Sequence, residues 1–158
     1  MLDLNKTCLI LRLATLQCKI YFDYFNDSIF YFLWKFSDEC EKVNCDRAFF
    51  VESFTRFTNP DTLKILIEQN RSTIAPLLKR PDELWSNFWG AVSSNGYYKR
   101  SDDYMEIVKN EKQGIWNAPF ISSAILFSSD RLKKLRNAWK HDTFDPDIAV
   151  ANVMREKV

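Results

Sequence analysis

Short apolar runs alternate with amphipathic segments from residue 40 to the end of the chain. Arg47–Val51 is an aromatic and aliphatic run typical of a buried strand, and Thr73–Leu78 and Ile115–Phe127 are further strand candidates. Because Pro76 has no backbone N–H for a strand ladder, we place the second run at a sheet edge or a strand end.

Helix-start signals separate these strands. Asn59, followed by a proline, predicts a helix that ends near Asn70, and Ser101, Ser129 and Asp145 begin three more. The alternation of strands and helices predicts a mainly parallel, layered α/β sheet.

Aromatic residues concentrate in two stretches. Leu84–Tyr98 contains the Asn95-Gly96 turn signal and predicts a loop-rich hairpin. Residues 1–36 are a second aromatic-rich segment. Three alternatives are open for it: a core strand pair, an interfacial segment, or sequence that does not belong to the folded domain. Charged residues interrupt every window long enough to cross a bilayer, so no transmembrane span is expected, and no convincing signal peptide is found.

Composition excludes several functions. The 158 residues are 46% hydrophobic and 27% charged, as in folded globular proteins. The formal net charge of +1 gives no reason to expect a nucleic-acid partner. The single histidine, His141, excludes a two-histidine metal site within this chain. The three glycines, Gly90, Gly96 and Gly114, do not have the spacing of a dinucleotide loop or a P-loop.

Cysteines and glycosylation sequons add two local hypotheses. Cys40 and Cys45 are spaced for a local disulfide bridge. Asn-x-Ser/Thr sequons occur at Asn5, Asn26 and Asn70, and they matter only if the chain enters the secretory pathway.

Four blocks of sequence carry a family resemblance. They are TNPDTLKILIEQNRSTIAPLLKR at 58–80, LWSNFWGAVSSNGYYKRSDDY at 84–104, GIWNAPFISSA at 114–124 and FDPDIAVANVMRE at 144–156. In this order they resemble the procollagen-lysine 2-oxoglutarate 5-dioxygenases, the collagen lysyl hydroxylases. The resemblance covers roughly residues 40–156 and leaves residues 1–36 unmatched.

The resemblance implies a fold and a cellular setting. The matching region resembles the middle accessory domain, a Rossmann-related, glycosyltransferase-A-like layered α/β sheet, which we expect to be incomplete here. The expected division is an unmatched segment, 1–37, and a glycosyltransferase-like domain, 38–158, truncated at its C-terminus. The family implies the endoplasmic reticulum lumen, and as partners procollagen and the rest of a lysyl hydroxylase chain or dimer.

The cofactors that the family implies belong to a different domain. Fe(II), 2-oxoglutarate and ascorbate serve the family's iron domain, whose histidine motif is missing here, in agreement with the single histidine. No cofactor is therefore expected for this chain.

Glycosyltransferases of the family's fold hold a divalent metal on an acidic motif, because carboxylate oxygens bind the cation that neutralises a nucleotide-sugar diphosphate. In VESFTRFTNP, Glu52 occupies the first acidic place of the family's pattern and Phe54 the second. Phenylalanine cannot ligate a metal, so Mn²⁺ and UDP-sugar binding are doubtful and no catalytic residue is assigned. We expect a non-catalytic accessory domain; the alternatives are a metal-dependent glycosyltransferase acting on collagen hydroxylysine and a truncated, inactive product.

Aromatic and amide side chains are the candidate ligand-binding residues. Trp85, Trp89 and Trp116 could stack on a sugar or a peptide, but large core residues are the favoured interpretation. Asn87 and Asn117 are expected either to fix loops or to contact a ligand.

Acidic pairs have simpler explanations than metal binding or acid-base catalysis. Asp145 and Asp147 could be ligands, although the sequence Asp-Pro-Asp is favoured as a helix start. Asp102 and Asp103 are expected in the solvated first turn of a helix, and the basic run 131–140 on a solvated helix face.

Overall fold

A computed structural model describes residues 5–12, 17–24, 29–52, 54–81, 83–138 and 146–155. The strands are β1 (Asn5–Arg12), β2 (Gln17–Tyr24), β3 (Arg47–Glu52), β4 (Thr73–Ile74), β5 (Phe88–Trp89), β6 (Ala91–Val92), β7 (Tyr98–Lys99), β8 (Phe120–Ile121) and β9 (Ala124–Ser128). The helices are α1 (Ile29–Lys42), α2 (Thr62–Glu68), α3 (Tyr104–Val108), α4 (Ser129–Ala138) and α5 (Pro146–Arg155). No helix among these residues is long and apolar enough to cross a membrane.

The described residues fall into two compact units. The first lies within residues 1–76 and 123–142, and the second within residues 77–122 and 143–158. The expected boundary near residue 37 separates sequence that resembles the family from sequence that does not, and it stays a prediction.

A five-stranded sheet organises the first unit. Its strand order is β2-β1-β3-β9-β4, and β1 and β2 form a hairpin whose first strand also pairs with β3. Of the three alternatives for residues 1–36, the structure thus shows a strand pair over the described parts of β1 and β2, followed by a helix.

The prediction of a mainly parallel sheet is wrong. Every strand pair found among the described residues is antiparallel. Alternation of strand and helix is local information, whereas strand direction depends on distant pairing. β4 follows β3 and α2 along the chain but pairs with β9 instead of β3. The mixed content of helices and strands is confirmed.

The core of the first unit lies around its two central strands. Residues 48–50 of β3 and 124–127 of β9 are buried in succession, which indicates strands covered on both faces. α4 packs against β9 and α1, with Leu132 and Leu135 almost fully buried. The Ser37 hydroxyl of α1 donates a hydrogen bond to the Leu132 carbonyl at 3.2 Å.

The second unit contains shorter elements. β5 pairs with β8, and β6 pairs with β7 across the turn that contains Asn95 and Gly96, as predicted. Gly96 has φ +86°, a backbone conformation that suits glycine. Gly90 allows a close approach, because a Cβ there would lie 2.0 Å from the Ser101 hydroxyl oxygen. α5 packs against β8.

Several elements differ from the predictions in extent. The run 73–78 is a strand only over its first two residues, which form the end of the sheet before Pro76. The run 115–127 is divided into β8 and β9, with Ser123 at φ +67° near their junction. α2 begins at Thr62, and the Asn59 side chain accepts a hydrogen bond from the Asp61 N–H at 2.9 Å in the turn before it. α1 was not predicted, because its aromatic residues conceal the helical pattern.

Candidate functional site

The degenerate acidic motif, with Glu52 and Phe54 at its two places, lies where β3 ends. The Glu52 N–H donates to the Ser123 carbonyl at 2.8 Å, and the Glu52 carbonyl accepts from the Thr55 N–H at 2.9 Å. These two bonds hold a tight turn that follows the strand. Phe54 lies in this turn with 64% of its surface exposed. The side chain at the second acidic place of the motif is therefore an apolar ring in solvent.

Glu52 belongs to no cluster of metal-ligating side chains in the part of the chain that the structure describes. The β1–β3 register places Lys6 opposite Glu52, and the Thr55 hydroxyl is buried without a hydrogen-bond partner among the described residues. Across the same residues, no group of three His, Cys, Asp or Glu side chains could hold a metal ion. A cation bound to a sugar diphosphate needs several hard oxygen ligands, so the residues at this turn do not fit one.

Trp89 belongs to an aromatic cluster of the second unit. Its ring centroid lies 5.0 Å from Tyr98 and 6.3 Å from Tyr104, and Tyr98 lies 4.4 Å from Phe120. The Arg100 guanidinium lies 5.7 Å from the Trp89 ring centre and 5.0 Å from that of Tyr104. Trp89 thus stacks on residues of its own chain, which favours the core interpretation over an open platform.

The other two candidate tryptophans also have partners within the chain. The Arg80 guanidinium lies 5.0 Å from the centre of the half-buried Trp85 ring and is paired with Glu83 at 3.0 Å. Trp116 packs against a buried cluster formed by Phe88, Tyr104, Ile107 and Val108.

Asn87 is a buried amide that fixes two loops. Its Oδ1 accepts from the Leu78 N–H at 2.8 Å, and its Nδ2 donates to the Ser122 carbonyl at 3.0 Å. Its backbone N–H donates to the Leu78 carbonyl and its carbonyl accepts from the Ser122 N–H. Of the two roles considered for Asn87, these contacts support loop fixing. Asn117, the other amide candidate, is exposed.

Asp103 is held in its charged form. Hydrogen bonds from Lys112, at 2.6 Å, and from Ser101, at 2.8 Å, lower the pKa of its carboxyl group. The same pairing raises the pKa of Lys112. A carboxylate with a lowered pKa does not suit a general base working near neutral pH, so this pair is a surface ion pair.

The structure describes some of the remaining candidate residues and not others. Cys40 and Cys45 form a disulfide bond, with their Cα atoms 5.0 Å apart. Asn70 is exposed at the end of α2. α5 begins at Pro146, directly after Asp145, as expected for a helix start at this proline. Asp145, the Asp147 side chain and His141 lie outside the described residues.

Arg80 and Arg100 are contact residues that the sequence analysis missed. Each follows or precedes an aromatic run, and an arginine beside such a run is a signal for a cation–π contact. That signal would have identified the residues but not their ring partners.

Comparison with known proteins identifies the region. Residues 26–154 match the model of the glycosyltransferase family 25, N-terminal domain. The chain is 48% identical over 115 residues to procollagen-lysine,2-oxoglutarate 5-dioxygenase 2 of Homo sapiens, which covers 71% of this chain and 16% of that protein. It is 42% identical over 124 residues to the multifunctional procollagen lysine hydroxylase and glycosyltransferase LH3 of Rattus norvegicus, covering 76% of this chain and 17% of that protein.

These comparisons confirm the resemblance to the lysyl hydroxylases. A third relative, procollagen-lysine,2-oxoglutarate 5-dioxygenase 1 of Homo sapiens, is 41% identical over 119 residues, which is 73% of this chain. The chain spans only 16% of that relative's length. The chain is thus similar to one part of the procollagen lysyl hydroxylases, and since the family model covers most of the chain, the protein belongs to the family of glycosyltransferase family 25 N-terminal domains.

Proposed function

We propose that this chain serves as a non-catalytic accessory domain of a collagen lysyl hydroxylase. One observation carries the proposal: the second acidic place of the family's metal motif is held by Phe54, in a tight turn directly after β3. An exposed phenyl ring offers no electron pair to a divalent cation. The turn therefore lacks a group that sugar transfer requires.

Electrostatics at the same turn support this proposal. Glu52 is the one carboxylate that the motif retains, and Lys6 is at the register position opposite it. A single carboxylate supplies too few oxygen ligands for a divalent cation. The residues do not fit a Mn²⁺ and UDP-sugar site. Fe(II), 2-oxoglutarate and ascorbate are assigned to an iron domain elsewhere, since one histidine cannot build a two-histidine iron site.

The accessory role also defines the proposed fold and setting. The central strands β3 and β9, with α4 packed on β9, would form part of a Rossmann-related, glycosyltransferase-A-like layered sheet. The proposed partners are procollagen and the remainder of a lysyl hydroxylase chain or dimer. The disulfide between Cys40 and Cys45 supports an oxidising compartment, for which the endoplasmic reticulum lumen is the proposal.

Calorimetric titration with UDP-sugar tests the missing metal site. The full chain, shown to be folded by circular dichroism, is titrated with and without Mn²⁺. We expect no metal-dependent heat from the natural sequence. Metal-dependent heat would contradict the proposal and favour an active glycosyltransferase.

Two variants at one position make this test specific. Phe54→Asp places a carboxylate at the second acidic place. Phe54→Asn supplies a side chain of nearly the same size as aspartate but without its charge. We expect Mn²⁺-dependent binding to increase in the Asp variant and to stay absent in the Asn variant. Equal behaviour of the two variants would show that the charge at residue 54 does not limit binding.

A chimera tests the accessory role itself. The host is human procollagen-lysine,2-oxoglutarate 5-dioxygenase 2, and the segment that matches this chain is replaced by this chain's own sequence. We expect the chimera to retain lysine hydroxylation of a procollagen substrate. Loss of hydroxylation in a chimera that is folded in the endoplasmic reticulum would contradict the proposal.

A further inference from the structure

The turn between α2 and β4 contains a glycosylation sequon whose side chains are described in full. Asn70, Arg71 and Ser72 form the sequence Asn-Arg-Ser, in which the middle residue is not proline. All three residues are exposed. Asn70 follows the last turn of α2 with φ +48°, and its N–H donates to the Ile67 carbonyl at 3.0 Å. The sequon thus lies on an accessible turn at the end of a helix.

Arg47 orients the Asn70 amide group. One guanidinium nitrogen, Nη2, donates to Asn70 Oδ1 at 2.8 Å, and the other, Nη1, donates to the Arg71 carbonyl at 2.8 Å. In the hydrogen bond between Arg47 and the Asn70 side chain, the acceptor is the amide oxygen of Asn70. An oligosaccharide attaches to the amide nitrogen, and the oxygen of a glycosylated asparagine still accepts hydrogen bonds. The contact with Arg47 is therefore compatible with a sugar on Nδ2.

Ser72, the hydroxyl residue of the sequon, also has defined contacts. Its hydroxyl accepts a hydrogen bond from Arg131 Nε at 3.3 Å, and its carbonyl accepts from the Ser128 N–H at 2.8 Å. These bonds hold the residue after the turn against β9 and α4. The turn has one defined conformation from which a sugar at Asn70 would extend into solvent.

For the other two sequons, the structure does not describe the asparagine side chains. Asn5 begins β1, a strand that pairs with β2 on one side and β3 on the other. Asn26 lies outside the described residues. Asn70 is thus the sequon for which both exposure and a compatible hydrogen bond are seen.

From these contacts we propose that Asn70 carries an N-linked oligosaccharide when the chain is made in the secretory pathway. In the transfer, a bond forms between Asn70 Nδ2 and the anomeric carbon of the oligosaccharide. The bond from that carbon to the diphosphate of a polyprenyl-diphosphate donor breaks, the lipid diphosphate leaves, and the amide nitrogen releases one proton. The cell's own transferase and lipid-linked donor supply the reaction.

Expression behind a cleavable secretory signal tests the proposal. The full chain is produced in cultured human cells with Asn5→Gln and Asn26→Gln, so that Asn70 is the remaining sequon. We expect treatment with peptide N-glycosidase to increase gel mobility by one oligosaccharide. Mass spectrometry of the released peptide in ¹⁸O water should find the label on residue 70. An unmodified Asn70 peptide in this chain would overturn the proposal.

Matched variants at the sequon separate glycosylation from misfolding. Asn70→Gln and Ser72→Ala in the same background are expected to abolish the mobility change, whereas Ser72→Thr keeps a hydroxyl and is expected to retain it. A mobility change that persists in Asn70→Gln would overturn the assignment. Attachment occurs on the nascent chain, so the result depends neither on nucleotide-sugar binding nor on the accessory role proposed above.

Discussion

The two units of this chain hold their backbones in place by different means. In the first unit, β3 and β9 pair over five residues each, and α4 packs against β9 and α1. In the second unit, the four strands are two residues long. Side chains there do what strand ladders do in the first unit: the Asn87 amide joins two backbone segments, and Arg100 lies over two aromatic rings.

This difference shows how a chain compensates for short strands. A two-residue strand pair forms few backbone hydrogen bonds, so the remaining N–H and C=O groups need other partners. A buried amide has two donors and two acceptor sites, and it can satisfy both neighbouring segments at once. The first unit should thus be most sensitive to loss of apolar volume, and the second to loss of single polar or charged groups.

Truncation of the sheet core should have the largest effect. Leu126 is fully buried in β9, and Leu126→Ala should lower the free energy of unfolding by roughly 3 to 4 kcal/mol, since it removes apolar contacts and leaves a cavity. Urea denaturation measures the loss. Ile65→Ala, at a position 42% exposed in the same unit, should cost less than about 1 kcal/mol. A similar cost for both variants would contradict the proposed core.

Removal of the Asn87 amide should have the next largest effect. Asn87→Ala leaves the Leu78 N–H and the Ser122 carbonyl without their side-chain partner, at a cost of about 2 to 3 kcal/mol. Hydrogen-exchange mass spectrometry should show faster exchange in peptides of the second unit. Asn117→Ala, on an exposed residue, is the control and should change stability by less than about 0.5 kcal/mol. Faster exchange spread evenly over both units would contradict a role of Asn87 in the second unit alone.

Opening the disulfide should destabilise the first unit by about 2 kcal/mol, because the short loop from Cys40 to Cys45 gains entropy in the unfolded chain. Urea denaturation with and without dithiothreitol measures this. The Cys40→Ala/Cys45→Ala variant should no longer respond to the reductant, whereas Cys8→Ser/Cys18→Ser should respond like the natural chain. An unchanged unfolding midpoint on reduction of the natural chain would argue against this bond.

The smallest effect is expected at the Asp103–Lys112 ion pair. Because folding lowers the pKa of Asp103, the pair stabilises the folded state above the pKa of an unfolded aspartate, and this contribution is lost as the pH falls through the folded pKa. The raised pKa of Lys112 has the opposite consequence. Its contribution to folding stability is lost as the pH rises through the pKa of this lysine in the folded state. Asp103→Asn should therefore flatten the acid side of a stability–pH curve. A curve unchanged by this substitution would show that solvent screens the pair completely.

Local signals in the sequence predicted local features well. The apolar run at 47–51, the turn at Asn95 and Gly96, and the helix start at Pro146 depend on neighbouring residues, and all three appear in the structure. Pro76 correctly indicated the end of a strand at a sheet edge, since the missing N–H acts at that residue alone. The unfavourable side chain at the metal motif, Phe54, could be read directly from its identity.

Features that depend on distant residues could not be predicted in the same way. Sheet direction depends on the pairing of β9 with β3 and β4, which are far apart in sequence. Asn87 was a candidate, but its bonds join residues 9 and 35 positions away, so its role needed the fold. α1 was missed because its aromatic composition suggested strands, whereas its burial against α4 stabilises a helix.

The two edge strands of the sheet in the first unit differ in length. On one side it ends with β4, whose two residues give another chain little backbone to pair with, and a proline follows soon after. On the other side it ends with β2, eight residues long. A strand of that length at a sheet edge carries a row of backbone N–H and C=O groups that can pair with another chain. If two copies of this chain associate through this edge, we expect a closed pair and not a growing fibre, because β4 offers no second edge, and a peptide that covers β2 should prevent the pairing.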